Sequence, residues 1–277
     1  KSFLRIYPDM RRDFAKSPEK KCGFCYAENT KIELNDDQII DDIIQTIKKA
    51  DCEIGVKGIF ISTGAFENKE RITFHARIIN AITDFLPNSQ VVFSLIPQKK
   101  EENVRQLYSA GKQNLILSYN IEAWDPKRWK PNSPLCFGIA KASLGKKYYF
   151  DAFKTAVRIG GKGNCKTNFI IGLDSNSVLK EAIQKLAKMG VCSSGTVYYP
   201  TPKSIWERRK VENKIFSPTV EDFNDNGKKR EFIITAYLTI TKTMLEYNLP
   251  LAWNQESRIS GLEWDALTLL NEEKVIC

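Results

Sequence analysis

Cys22 and Cys25, separated by two residues, are the side chains whose type and spacing point most directly to chemistry. Thiolates bind soft metal centres, and a tight Cys-Gly-Phe-Cys loop can turn both sulfurs toward one centre. The other five cysteines, at 52, 136, 165, 192 and 277, are scattered and read as small buried hydrophobes. They offer no second pair at ribbon or finger spacing, which argues against a structural zinc site of four ligands. A thioredoxin-like dithiol normally opens a helix, whereas a polar stretch over residues 28–35 follows this pair. Seven cysteines without dense even spacing also fit a reducing cytosol better than a secreted disulfide framework, so a cytoplasmic protein is expected.

Such a loop needs a scaffold, and the chain supplies one by alternating short apolar runs with amphipathic stretches. The runs predict strands over 2–7, 57–62, 90–95, 114–121, 166–173 and 195–200. Helices are expected over 36–50, 71–85, 101–110, 147–159 and 177–189, the first carrying Ile39, Ile40, Ile43, Ile44 and Ile47 at helical spacing. This alternation implies parallel pairing, because each interval is long enough for a crossover. Continuous apolar strands such as Ile59-Phe60-Ile61 and Phe169-Ile170-Ile171 suggest burial on both faces. The pattern suits an incomplete (β/α)₆ barrel or a doubly wound open sheet. In either, chemistry belongs at the carboxyl ends of the strands, at 62–67, 120–125, 172–174 and 198–202, and the cysteine loop follows the first strand. From about Trp206 the rhythm changes to a polar linker over 217–225, a long helix over 230–247 and a tail over 250–277 that reads as a cap. We expect a barrel over 1–204 and a C-terminal extension over 205–277.

Composition limits the partners. With 42% apolar and 11% aromatic residues the 277-residue chain is that of a globular protein, with no apolar run of bilayer length and no apolar signal within residues 1–20. Forty-two Lys and Arg against 33 Asp and Glu give a net charge of +9, favouring anionic partners in a general way. Lys127, Arg128, Trp129 and Lys130 are the best local candidate for an RNA-binding face. His75, the only histidine, is expected on the outer or packing face of a helix.

Lys21-Cys22-Gly23-Phe24-Cys25-Tyr26-Ala27-Glu28 resembles the second half of the CxxxCxφC signature of the radical S-adenosylmethionine (SAM) enzymes, Phe24 standing at the aromatic position. The resemblance extends to Ile61-Ser62-Thr63-Gly64-Ala65-Phe66-Glu67, similar to the family's glycine-rich acidic strand end, and to Leu117-Ser118-Tyr119-Asn120-Ile121-Glu122. Residues 164–174 (NCKTNFIIGLD) and 197–202 (VYYPTP) look like its fifth and sixth strands. Over about residues 2–204 this implies a partial parallel (β/α)₆ barrel holding a [4Fe–4S] cluster on Cys22 and Cys25. SAM would meet Phe24, Thr63, Gly64, Glu67, Asn120, Glu122, Asn168, Gly172 and Tyr199, with Glu67 or Glu122 pairing with its ammonium group.

One position departs from the family pattern: its first cysteine falls on Pro18, and no cysteine precedes Cys22. Either a distant residue such as Cys52, Cys136 or Cys277 completes the ligand set, or the stretch near residues 10–20 is altered, or the site is degenerate. The resemblance implies reductive cleavage of SAM to a 5′-deoxyadenosyl radical that acts on a small molecule, with electrons from a donor such as flavodoxin or ferredoxin. The competing readings are an RNA-modifying enzyme of the same family and a catalytically silent barrel that binds SAM or RNA.

Overall fold

The structure is a computed structural model, and it describes residues 2–7, 22–24, 35–62, 69–200, 204–212 and 217–251. Six strands form one sheet: β1 (Ser2–Ile6), β2 (Val56–Ser62), β3 (Gln90–Ser94), β4 (Leu115–Ser118), β5 (Cys165–Ile171) and β6 (Cys192–Val197), in the order β1-β2-β3-β4-β5-β6. Each pairing from β1 to β5 is parallel. The strand order never reverses. A doubly wound sheet must reverse at its switch point, so the α/β topology is that of an incomplete (β/α)₆ barrel.

The helices are α1 (Asp36–Ile54), α2 (Lys69–Phe85), α3 (Glu101–Gly111), α4 (Ile139–Gly160), α5 (Asn176–Lys188), α6 (Ile205–Glu212), the single turn α7 (Glu221–Asn224) and α8 (Lys229–Glu246). Local chemistry sets their limits. Asn35 opens α1 with a capping box: its side chain accepts from the Gln38 N–H at 2.9 Å, and the Gln38 side chain accepts from the Asn35 N–H at 3.0 Å. Gly55, at φ 63°, closes it. Within α4, Gly145 leaves helical geometry at φ 76° and ψ 157°, so the helix runs well N-terminal of the expected residue 147 but is kinked. No described helix is long and apolar enough to cross a membrane.

The chain divides into two compact units, with bounds Lys1–Lys16, Glu28–Asn120 and Tyr148–Lys166 for the first and Ser17–Ala27, Ile121–Lys147 and Thr167–Cys277 for the second. In the first, β2 to β4 contribute Ile59, Ile61, Val91, Val92, Phe93 and Leu117 to a fully buried core, and α1 adds Ile39, Ile43 and Ile47. His75 is buried beside the Phe93 ring, on the packing face of α2. In the second unit, α5 presents Leu179, Ile183 and Leu186, and α8 presents Ala236, Ile240 and Met244. Strand β6 starts at Cys192, three residues before the expected start, because the small buried residues Ser193 and Ser194 fit under α8, where the Ser193 N–H meets Met244 Sδ at 3.3 Å. The expected polar linker over 217–225 contains the helical turn α7, whose Phe223 is buried against Phe232.

Candidate metal centre and cofactor site

The described part of the cysteine loop, Cys22 to Phe24, is fastened at three points within the second unit. Cys22 pairs with Gly138 in an isolated antiparallel bridge. The Gly23 N–H donates to Phe137 O at 2.7 Å, and the Trp206 N–H donates to Gly23 O at 2.9 Å. Glycine is required at 23 by contact, since a Cβ there would lie 2.2 Å from Nε1 of the fully buried Trp206. Phe24 meets the same indole edge-on, with ring centroids 5.8 Å apart. Gly138 has a comparable role: a Cβ on it would come 3.0 Å from Cys22 Sγ. Cys22 is a half-buried thiol. Cys25 lies outside the described residues, and among those described no group of three or more His, Cys, Asp or Glu could hold a metal ion.

Beneath the loop sits a buried cation. Arg128, 4% exposed, donates through Nη2 to Leu173 O and places its guanidinium carbon 6.0 Å from the Trp206 ring centroid. Burial lowers its pKa from the ordinary arginine value, and Asp174 and Asp125 pull it back up. Arg128 Nη1 and Trp206 Nε1 are both buried donors without an acceptor among the described residues. Of the four residues expected to form an RNA-binding face, Arg128 and Trp129 are buried and Lys127 and Lys130 are exposed. Asp174, 6% exposed, accepts from the backbone N–H groups of Trp124 and Asp125, and burial raises its pKa above the usual carboxylate value. Trp124 is packed beneath the ammonium of Lys146, 4.6 Å from its ring.

The residues expected to meet SAM take several positions. Glu122 ends no strand and starts no helix; at φ 66° it bridges Phe169, accepting from the Ile170 N–H at 2.8 Å and donating its own N–H to Asn168 O at 3.0 Å. Its buried carboxylate pairs with Lys141 Nζ at 2.8 Å. Asn168 Oδ1 accepts from Ser194 Oγ at 3.1 Å and Thr196 Oγ1 at 3.2 Å, tying β5 to β6. Gly172, at φ 107°, leaves room for Phe223, which a Cβ would approach to 2.8 Å. Tyr199 is 77% exposed, whereas Tyr198 is buried, its hydroxyl donating to Glu207 Oε1 at 3.3 Å. In the first unit, Asn120 Oδ1 accepts from Ser118 Oγ at 2.9 Å. Thr63, Gly64 and Glu67 lie outside the described residues.

Phe24, Glu122, Asn168, Gly172 and Tyr199 thus share one compact unit with Cys22. Sequence reading missed Lys141 and Trp206. Lys141 is one of many lysines, and Trp206 is remote from the loop in sequence. Cys22 is thus one thiol on a turn held by backbone bonds, with two glycines whose missing side chains let the turn close.

No protein-family model and no curated protein sequence matches the chain. Among solved structures it is similar to that of a cobalamin-dependent S-adenosylmethionine radical enzyme, OxsB, with aqua-cobalamin and S-adenosylmethionine bound. The two are 12% identical with a TM-score of 0.48, and the match covers 99% of this chain and 36% of that one.

Proposed function

We propose that the chain is a radical SAM enzyme that binds a [4Fe–4S] cluster at Cys22 and Cys25 and cleaves SAM reductively to act on a small-molecule substrate. The observation that carries this reading is the anchored turn Cys22 to Phe24 in a protein whose parallel strands run in sequence order. A loop fixed by Phe137, Gly138 and Trp206 holds its thiol in place before any metal arrives, which limits the ordering cost of ligation.

Cys22 and Cys25 would hold the cluster, which would supply the electron for reductive cleavage of the SAM carbon–sulfur bond. The protein's part is binding and exclusion of water. Phe24, edge-on to Trp206, offers an apolar surface beside the cysteines for the adenine. Asn168 has its carbonyl oxygen engaged by β6, which turns its NH₂ group toward acceptors such as ribose hydroxyls. Glu122 already neutralises Lys141, so of the two acids that the resemblance implies for the SAM ammonium Glu67 is preferred, and Thr63, Gly64 and Asn120 keep the SAM contacts that the resemblance implies. Gly172 shapes the end of β5, and Tyr199 is exposed for substrate or cofactor stacking. Electrons come from a small carrier such as flavodoxin or ferredoxin.

Iron and acid-labile sulfide analysis after anaerobic reconstitution tests the proposal. Wild-type protein is expected to hold four of each per chain, and Cys22→Ala and Cys25→Ala to lose them at least about tenfold. Colourless wild-type protein carrying stoichiometric zinc would remove the reading.

A further inference from the structure

Two thiolates leave a four-iron cluster short of a protein ligand, because the family's first cysteine position is Pro18 in this chain. The inference below rests on the cluster reading above. Cys136 lies two residues from Gly138, in the segment hydrogen-bonded to the cysteine loop through Gly23 and Phe137. That segment is a tight turn, with the Ser133 N–H on Lys130 O at 2.9 Å and the Cys136 N–H on Ser133 O at 3.0 Å. Gly138 is the neighbour common to both sulfurs. Its backbone N–H donates to the Cys136 sulfur, and its missing side chain leaves the space beside Cys22 Sγ.

We propose that Cys136 is the third cysteine ligand of the cluster, standing in across the Cys22–Gly138 bridge for the thiolate that Pro18 cannot supply. Ligation replaces the Cys136 S–H bond with an S–Fe bond, and the proton leaves to solvent. Burial raises the pKa of the Cys136 thiol, and the Gly138 N–H and the Arg209 charge offset this only in part, so iron must displace the proton as it binds. The fourth iron then keeps an open corner for SAM. Other described cysteines are placed differently: Cys52 is exposed on α1, and Cys165 and Cys192 are buried within β5 and β6.

The test is iron and sulfide content of the anaerobically reconstituted full-length chain as wild type, Cys136→Ala, Cys52→Ser, and Cys136→Ala combined with Pro18→Cys. The inference expects a loss of at least about tenfold in Cys136→Ala, no loss in Cys52→Ser, and recovery when the thiol returns at position 18. Recovery separates a ligand from a residue needed only for packing. Full iron in Cys136→Ala would overturn the inference and leave the cluster reading standing, whereas wild-type protein without iron would overturn that reading too. Should Cys136→Ala fail to fold by circular dichroism, anomalous scattering at the iron edge from wild-type crystals decides: iron bonded to Cys136 Sγ supports the assignment, and iron away from it overturns it.

Discussion

Gly23 lies against the indole of Trp206, so closely that a Cβ at position 23 would stand 2.2 Å from Nε1. The two residues are also joined by the Trp206 N–H to Gly23 O bond, so α6 and the cysteine turn are locked together through one glycine. Trp206 is fully buried and has no space to swing aside.

Gly23→Ala should therefore destabilise the protein by about 1–3 kcal/mol, the cost of overpacking, and lower iron uptake with it. Urea denaturation of the apoprotein measures the first effect. An unchanged midpoint would mean that the turn is looser than described.

The ion pair between Lys141 and Glu122 is mostly withdrawn from water, with side-chain exposures of 18% and 8%. Removing only the cation in Lys141→Met leaves a buried carboxylate uncompensated and should cost roughly 3 kcal/mol. The double variant Glu122→Gln, Lys141→Met should recover most of that loss. A thermodynamic cycle from denaturation curves tests this, and additive losses would contradict it.

Asp174 gives the protein a pH dependence of opposite sign to that of an ordinary salt-bridged carboxylate. Burial raises its folded-state pKa above the ordinary 3.8, so the native state binds the proton more tightly than the unfolded chain does. Its contribution is most favourable below pH 3.8 and falls as pH rises through the raised folded value. The stability difference between wild type and Asp174→Asn, measured across this range, should shift in favour of the variant with rising pH. A flat difference would show that the backbone N–H groups of Trp124 and Asp125 offset the burial completely.

Gly172→Ala combines a left-handed backbone at φ 107° with a Cβ 2.8 Å from the Phe223 ring. We expect a loss of about 2 kcal/mol or more, read by thermal or urea unfolding. By contrast, Asn35→Ala removes only one side of the α1 capping box and should cost about 1 kcal/mol.

The elements were legible where periodicity is strong. Ile39, Ile43 and Ile47 marked the buried stripe of α1, and the continuous apolar runs Ile59-Phe60-Ile61 of β2 and Phe169-Ile170-Ile171 of β5 announced largely buried strands. Strand order was not legible from the pattern, since sequential and doubly wound sheets share the same alternation. The break at Glu122 escaped because an apolar run over 114–121 gives no sign that β4 stops at Ser118, nor that a non-glycine residue adopts positive φ beyond it. In the site, the CxxC pair stood out at short range. Its supports did not: Gly138 and Trp206 reach Cys22 and Gly23 across long stretches of chain, and neither carries a local signature of that contact.

The most direct test of the central claim is the formation of 5′-deoxyadenosine and methionine when anaerobically reconstituted protein, SAM and a strong reductant are combined without added substrate. The account predicts both products in equal amounts, dependent on the reductant and absent in Cys22→Ala. Protein that carries a full cluster and binds SAM yet releases neither product, under reduction confirmed by electron paramagnetic resonance, would contradict it.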